Sequence, residues 1–328
     1  MNKLFFSPHF PRGKAANPYC DNFIDSISGH FSVVPVPRHP LPRGLDIFRG
    51  AFKADYYILN WLEGVVHLKF GTIQGILGVL SIIIIHIRKK RILWMFHNIH
   101  PHGGETYWSK VIQRLLFKWS YLIVSHSQEA SDYAKKFAKC PVVFKPHPVF
   151  IRNYNDWTGN TKECDFFIWG DIYPYKGVVE FINNKCIRES RAKIYILGKA
   201  VSDNIRREIE HSVTETMWFD NRRAEFDEIA AQCKKAKYVL FPYIGDSISS
   251  SGVLMDTLLM GGIPLGPNRG AFADLQREGC CITYNDIEDV LGFITKTPHD
   301  VSKDSINAFI NNNSWDVFGE WVVTELSK

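Results

Sequence analysis

Short runs of continuously apolar residues recur along this chain, and each leads into a polar or glycine-containing loop and then a helical stretch. Runs of this kind lack the alternation of a half-solvated strand. They mark strands buried on both faces of a parallel sheet. The first series predicts strands over 3–7, 31–36, 55–60, 92–96 and 121–124, with helices over 19–27, 73–87 and 107–119. Residues 146–161 are rich in Pro, Asn and Gly and read as a linker. A second series follows, with strands over 166–169, 192–197, 216–219, 238–241 and 263–265 and helices over 178–183, 204–211, 223–233 and onward from Gly252. Residues 313–326 read as a closing helix. The expectation is an α/β chain of two Rossmann-like, doubly wound domains facing a central cleft, with ligands at the carboxyl ends of the strands. The expected domains are 1–150 and 151–312, with 313–328 as the closing element.

Residues 73–87 are almost all apolar and end in Arg88-Lys89-Lys90-Arg91. Fifteen residues are too few to cross a bilayer comfortably. A core helix with basic residues at its negative end is expected, in preference to an interfacial one. The seven cysteines form no C-x-x-C pair and no Cys/His cluster of metal-ligand spacing, so buried reduced thiols are expected and a metal site is not. The first residues show no secretory signal, which points to the cytoplasm.

Charge divides the chain. Residues 1–150 hold 19 Lys and Arg against 8 Asp and Glu, whereas the remainder holds 20 against 26. A basic first half suits a phosphate-bearing acceptor or peripheral contact with an anionic membrane on its inner face. No nucleic-acid motif accompanies the charge, and no nucleic-acid partner is expected.

The most informative chemical stretch is 241–270, FPYIGDSISSSGVLMDTLLMGGIPLGPNRG. A strand end runs into a serine-rich loop, then Gly252 and a helix. Helix N-termini carry amides without intrahelical acceptors and the positive end of the dipole, so this is an anion site in waiting. Ser250 and Ser251 are candidate phosphate ligands, and Ser249 is either a third ligand or the helix cap. Lys176-Gly177, between a strand and a helix, places an ammonium where a diphosphate at a helix start could use it. In the first half, His97 ends a strand and precedes a loop holding His100, His102 and Glu105. Trp61-Leu62-Glu63 ends another. Residues 8–19 follow the first strand with Arg12 and Lys14, features that suit an acceptor's sugar or pyrophosphate.

Several segments together resemble the GT-B glycosyltransferases, especially glycosyltransferase family 4 and related bacterial exopolysaccharide and capsule enzymes. They are ILNWLE at 58–63, ILWMFHNIHPH at 92–102, IVSHS at 123–127, WGDIYPYKG at 169–177, ILGK at 196–199, and SSSG, LMDTLLMGG and IPLGPNRG within 241–270. The resemblance implies a hexosyltransferase that moves a sugar from a UDP-, GDP- or dTDP-sugar to a lipid-linked saccharide acceptor in surface polysaccharide synthesis. It implies donor binding by Gly170, Lys176, Ser250, Ser251 and Gly252, ribose binding by Asp256, and His97 near the transferred sugar. Two positions depart from the pattern. Ile248 stands where the first of two glutamates is usual, and Asp171 stands where an arginine is common, which leaves Lys199 or Arg269 to supply the second cation.

Cleaving a sugar–diphosphate bond develops negative charge on the leaving group, which fixed donors and a cation stabilise. The expected site does this without a metal or other cofactor. A retaining reaction needs no protein base, and an inverting one needs a base drawn from His97, Glu63 and Glu105. A nucleotide-sugar epimerase of the same fold and a non-catalytic sugar-nucleotide-binding protein are the alternatives.

Overall fold

Both series of apolar runs form six-stranded, wholly parallel sheets. The structure, a computed structural model, describes residues 2–9, 18–35, 41–99, 104–150, 162–245, 251–295 and 301–328. The chain divides into two compact units, one of Met1–Pro148 with Trp315–Lys328 and the other of Val149–Ser314.

In the first unit the strands are β1 (Lys3–Ser7), β2 (Ser32–Val33), β3 (Tyr56–Asn60), β4 (Arg91–Phe96), β5 (Leu122–Ser125) and β6 (Val142–Phe144). Helices α1 (Tyr19–Ile27), α2 (Arg43–Gly50), α3 (Gly71–Ile87), α4 (Tyr107–Trp119) and α5 (Gln128–Lys135) connect them. The order β2-β1-β3-β4-β5-β6 reverses direction at β1, so the switch point lies between the ends of β1 and β3. Tyr57, Leu59, Trp94, Phe96 and Ile123 turn one face of the sheet into a core with α2 to α5. On the other face Phe6 meets Phe23 of α1 edge-on at 5.2 Å, and Phe23 meets Phe318 at 5.1 Å.

The second unit contains β7 (Cys164–Trp169), β8 (Ile194–Leu197), β9 (Met217–Asp220), β10 (Ala236–Leu240), β11 (Pro264–Pro267) and β12 (Ile282–Tyr284). Its helices are α6 (Val178–Asn183), α7 (Lys185–Glu189), α8 (Asp203–Ser212), α9 (Phe226–Lys235), α10 (Gly252–Leu259), α11 (Gly270–Arg277) and α12 (Lys303–Asn312). The last helix, α13 (Trp315–Ser327), packs in the first unit, where Gly319 lies so close to α1 that a Cβ there would meet the Ser26 carbonyl at 2.5 Å. The order β12-β11-β10-β7-β8-β9 puts this unit's switch point between β7 and β10. Alternate residues of these strands enter two cores, Phe167, Trp169 and Val239 on one face and Phe166, Ile168 and Tyr238 on the other. Burial on both faces accounts for the unbroken apolar runs in the sequence.

The run 73–87 is a helix, but not the core helix expected. It buries its small and polar residues Gln74, Gly75, Gly78 and Ser81 together with Ile82 and Ile85. Ile73, Ile76, Leu80 and Ile87 are exposed. Close neighbours impose this orientation: a Cβ on Gly75 would lie 2.8 Å from the Cβ of Trp108 in α4, and one on Gly44 of α2 would lie 2.6 Å from the Gln74 carbonyl. Only the small side of α3 fits between α2 and α4.

Candidate donor and strand-end sites

Each unit gathers its polar side chains at its own switch point. In the first, Asn60 ends β3 and is held from three sides. Arg43 donates to its carbonyl at 3.0 Å, its Nδ2 donates to the Ser7 carbonyl at 3.0 Å, and its Oδ1 lies 3.0 Å from His97 Nε2. With Nδ2 fixed on a carbonyl, Oδ1 must be the atom facing His97, so Nε2 donates. In the neutral ring Nδ1 then carries the lone pair. Trp61 stacks on the same imidazole with centroids 4.1 Å apart and planes 18° apart. His97 is 3 % exposed and cannot turn without breaking both contacts.

Behind it, Tyr19 packs edge-on against His97, His126 and Trp315. His126 Nδ1 faces the Lys145 carbonyl at 2.8 Å, so it carries the proton, and Nε2 accepts from the Tyr19 hydroxyl at 2.7 Å. Burial, and secondarily the nearby His147, lowers the His126 pKa to about 3, and burial lowers that of His147 to about 4. Both are neutral scaffolding for the strand-end loops. Sequence reasoning missed Asn60, although a polar residue closing an apolar strand is a readable signal. Tyr19 and His126 gave no such signal, because their pairing spans 107 residues.

The two carboxylates proposed as bases differ in their settings. Glu63 sits in the short 3-10 turn Leu62–His67, 3 % exposed, in the layer containing α3. Desolvation raises its pKa to about 7, with the buried Arg43 acting in the opposite sense, and its Oε2 has no hydrogen-bond partner. It is an interior acid that, with Arg43, backs the end of β3. Glu105 lies on the surface and pairs with Lys110 at 2.8 Å. Arg12, Lys14, His100, His102, Ser249 and Ser250 lie outside the described residues.

In the second unit three strand-end loops press together. Gly177 adopts φ +63° and Gly170 φ +91°, conformations that favour glycine. A Cβ at Gly177 would lie 2.1 Å from the Pro242 carbonyl, and one at Gly198 2.1 Å from the Gly170 carbonyl. Lys176 between them is 6 % exposed. Its Nζ and the side chain of Val253, at the start of α10, would each lie 3.3 Å from a Cβ on Gly170. Among the described residues no hydrogen bond or ion pair holds this ammonium. Burial lowers its pKa to about 8, and Asp171 partly opposes the shift. Asp171 is itself engaged by Arg223 through bonds of 2.9 and 2.6 Å.

Ser251 caps α10, its hydroxyl accepting from Leu254 N at 3.3 Å and lying 3.3 Å from the Tyr243 hydroxyl. The cap is therefore Ser251. The Gly252 and Val253 amides have no acceptor among the described residues and remain available at the helix start. Trp169 Nε1 donates to Thr257 at 3.0 Å and seats the helix against β7. Asp256 is half-buried, as is Val253, one turn along α10 from the exposed Gly252. Arg269, preceding α11, donates to the Tyr243 carbonyl at 3.1 Å, and its Nε is buried without an acceptor. Lys199 is exposed on the loop after β8, its carbonyl accepting from Ile172 N at 2.9 Å.

Neither a protein-family model nor a curated protein matches this sequence. Solved structures do match its fold. Anabaena HepE in complex with UDP and glucose is 13% identical over 100% of both chains, with a TM-score of 0.70. AviGT4, a glycosyltransferase involved in avilamycin A biosynthesis, is 14% identical, with 100% of this chain and 97% of that chain covered and a TM-score of 0.58. The alpha,alpha-trehalose-phosphate synthase (UDP-forming) from Burkholderia xenovorans, in complex with glucose-6-phosphate, is 11% identical over 99% of each chain at a TM-score of 0.64. This chain has the GT-B fold. Within that fold, the switch point of its second unit is where Lys176 and the start of α10 come together, and the switch point of its first unit is where Asn60 orients His97. No helix among the described residues of this GT-B chain is long and apolar enough to cross a membrane.

Proposed function

We propose that this chain is a glycosyltransferase that takes a hexosyl group from a nucleoside diphosphate sugar and passes it to a saccharide acceptor, lipid-linked, in surface polysaccharide synthesis. The observation that carries the reading is Lys176, a buried ammonium with no hydrogen-bond or ion-pair partner among the described residues, beside two helix-start amides that have no acceptor among those residues. Burying an unpaired charge costs several kcal/mol of solvation, roughly, unless a ligand compensates it. A diphosphate supplies the missing counter-charge and accepts from the amides. As the glycosidic bond breaks, negative charge grows on the leaving diphosphate. A cation and fixed dipoles in a dry site stabilise that state more than the ground state. Uridine is the favoured base, since HepE is solved with UDP and the trehalose-phosphate synthase is UDP-forming.

Asp256 is assigned to the ribose diol, which one carboxylate can accept from twice. Arg269 is assigned the second cation in the place of the usual arginine. His97, with its ring fixed by Asn60 and Trp61, is assigned to a hydroxyl of the transferred sugar or acceptor. The reaction as proposed uses no metal. The test is incubation with UDP-, GDP- and dTDP-sugars and a membrane lipid extract, followed by assay of nucleoside diphosphate release. Release that depends on the extract and falls about a hundredfold or more in Lys176→Met supports the reading. Isomerised donor without acceptor would identify an epimerase instead, and binding without turnover would identify a sensor.

A further inference from the structure

Of the large residues on the outward face of α3, Ile84 lies partly buried against the core of the first unit, and the others are exposed. Ile73, Ile76, Leu80, Ile84 and Ile87 follow one another at spacings of three, four, four and three, which places them on one stripe of the helix. Four of them are 37 to 71% exposed, and Phe70 at the head of the stripe is 65% exposed. The opposite stripe makes the contacts the fold requires: Gln74 Oε1 accepts from Gly44 N at 3.0 Å, and Gly78 lies against Ile112. Stability of the unit therefore explains the small inward residues and leaves the large exposed ones unexplained. A contiguous exposed apolar stripe of this kind marks an interaction surface.

The charge around the stripe selects the occupant. No Asp or Glu occurs between Glu63 and Glu105, a stretch that holds the exposed Lys69 and Lys89, together with Arg88, Lys90 and Arg91, which bond to Tyr57, Asp55 and the Leu326 carbonyl. The flanking helices add exposed cations, Arg49 and Lys53 beside α2 and Arg114 and Lys118 on α4. Two acids of this layer are already engaged: Asp55 pairs with Lys90 at 2.8 Å and Glu105 with Lys110 at 2.8 Å. A second copy of the chain would bring two cationic rims together, whereas a surface of anionic headgroups over apolar acyl chains complements both features.

We propose that α3 is a monotopic membrane anchor that lies flat in the headgroup region. Its aliphatic stripe enters the acyl boundary, and the rim of Lys and Arg contacts anionic lipid phosphates. The helix has 17 residues and so is about 25 Å long, enough to lie along a surface as an anchor. Its inward face, unlike that of a free amphipathic helix, is covered by protein rather than water. This rests on the reading of the chain as acting on a lipid-linked acceptor, but its test needs neither donor nor turnover.

The test is flotation of the full chain with vesicles of phosphatidylcholine, with and without phosphatidylglycerol. The wild type is expected to float with the anionic vesicles and to be released by salt. Ile73→Ser/Ile76→Ser/Leu80→Ser is expected to bind at least about tenfold more weakly. Lys89→Glu and Lys118→Glu are each expected to lose about fivefold or more. The wild type also serves alone: anionic vesicles should shield Lys89 and Lys118 from an amine-reactive label while Lys185, 85% exposed in the second unit, stays reactive. Failure of the wild type to float, unaltered flotation of the triple variant, or unprotected Lys89 and Lys118 would each overturn the proposal. So would a wild-type dimer that the triple substitution converts to monomer, which would assign the face to a second copy. UDP binding, measured separately in the triple variant, distinguishes loss of the anchor from loss of the donor site.

Discussion

Substituting His147 by Asn should abolish most of the acid sensitivity of the first unit. His147 Nδ1 lies 2.8 Å from the Pro148 carbonyl, a bond the Asn amide can keep, while the titrating ring is lost. In the folded protein the pKa values of His126 and His147 are depressed to about 3 and about 4, from 6.5 in a free chain. Between pH 6.5 and 5 the unfolded chain therefore takes up protons that the folded chain refuses, and stability falls with pH. From pH 7 to 5 each ring costs about 2 kcal/mol, close to 4 together. Glu63 works against them. Its folded pKa of about 7 lies above the ordinary 4.5, so the folded chain binds its proton first and gains about 2 kcal/mol over the same interval. The wild type should lose about 2 kcal/mol net, and His147→Asn should be nearly flat. Native-state hydrogen exchange of the β4 and β5 amides, corrected for intrinsic rate, reads the first unit separately from the second. Equal pH slopes in the two proteins, or a flat wild type, would refute the burial of these rings as the cause.

Gly177→Ala should unfold the second unit at lower urea, by about 3 kcal/mol or more, because its Cβ would sit 2.1 Å from the Pro242 carbonyl at a φ of +63°. Ser251→Ala should cost about 1 kcal/mol in the same assay through loss of the α10 cap, and Ser251→Asp should restore it. Asn60→Leu, which removes the Oδ1 acceptor from His97 Nε2, should lower sugar transfer about a hundredfold with nucleotide binding by the second unit unchanged, as followed by turnover and calorimetry.

Where burial on both faces writes an unbroken apolar run, the sequence was sufficient: β1, β4 and β7 fall within two residues of expectation, and α1, α4 and α6 match it. Elements that bury little escaped it. Helix α5 covers the sheet with Ala130, Ser131 and Ala134, which leave no apolar period, and β12 is three residues long. Helices α2, α11 and α12 were not expected, and α11 starts at Gly270 behind Arg269, whose side chain does not cap it. The inversion of α3 was invisible because apolar residues fill both sides of its sequence, and only the close approach of Trp108 and Gly44 decides which side faces inward. At the candidate site, Lys176 and His97 were legible as polar residues at strand ends. Their restraints, Gly170 beside Nζ and Asn60 on Nε2, depend on contacts across parallel strands and were not. Glu63 reads as a strand-end acid, yet the 3-10 turn rotates it into the interior.

The most direct measurement is calorimetric titration of UDP, GDP and dTDP into the wild type and Lys176→Met. At least one nucleotide should bind the wild type at pH 7, and Lys176→Met should weaken it roughly ten- to a hundredfold, the worth of a charge-assisted bond. Because the free ammonium titrates at about 8, affinity should fall about tenfold between pH 7 and 9 in the wild type and not in the variant. A nucleotide that binds Lys176→Met as tightly as the wild type, or no nucleotide binding at all, would contradict the assignment of this buried lysine to a sugar-nucleotide diphosphate.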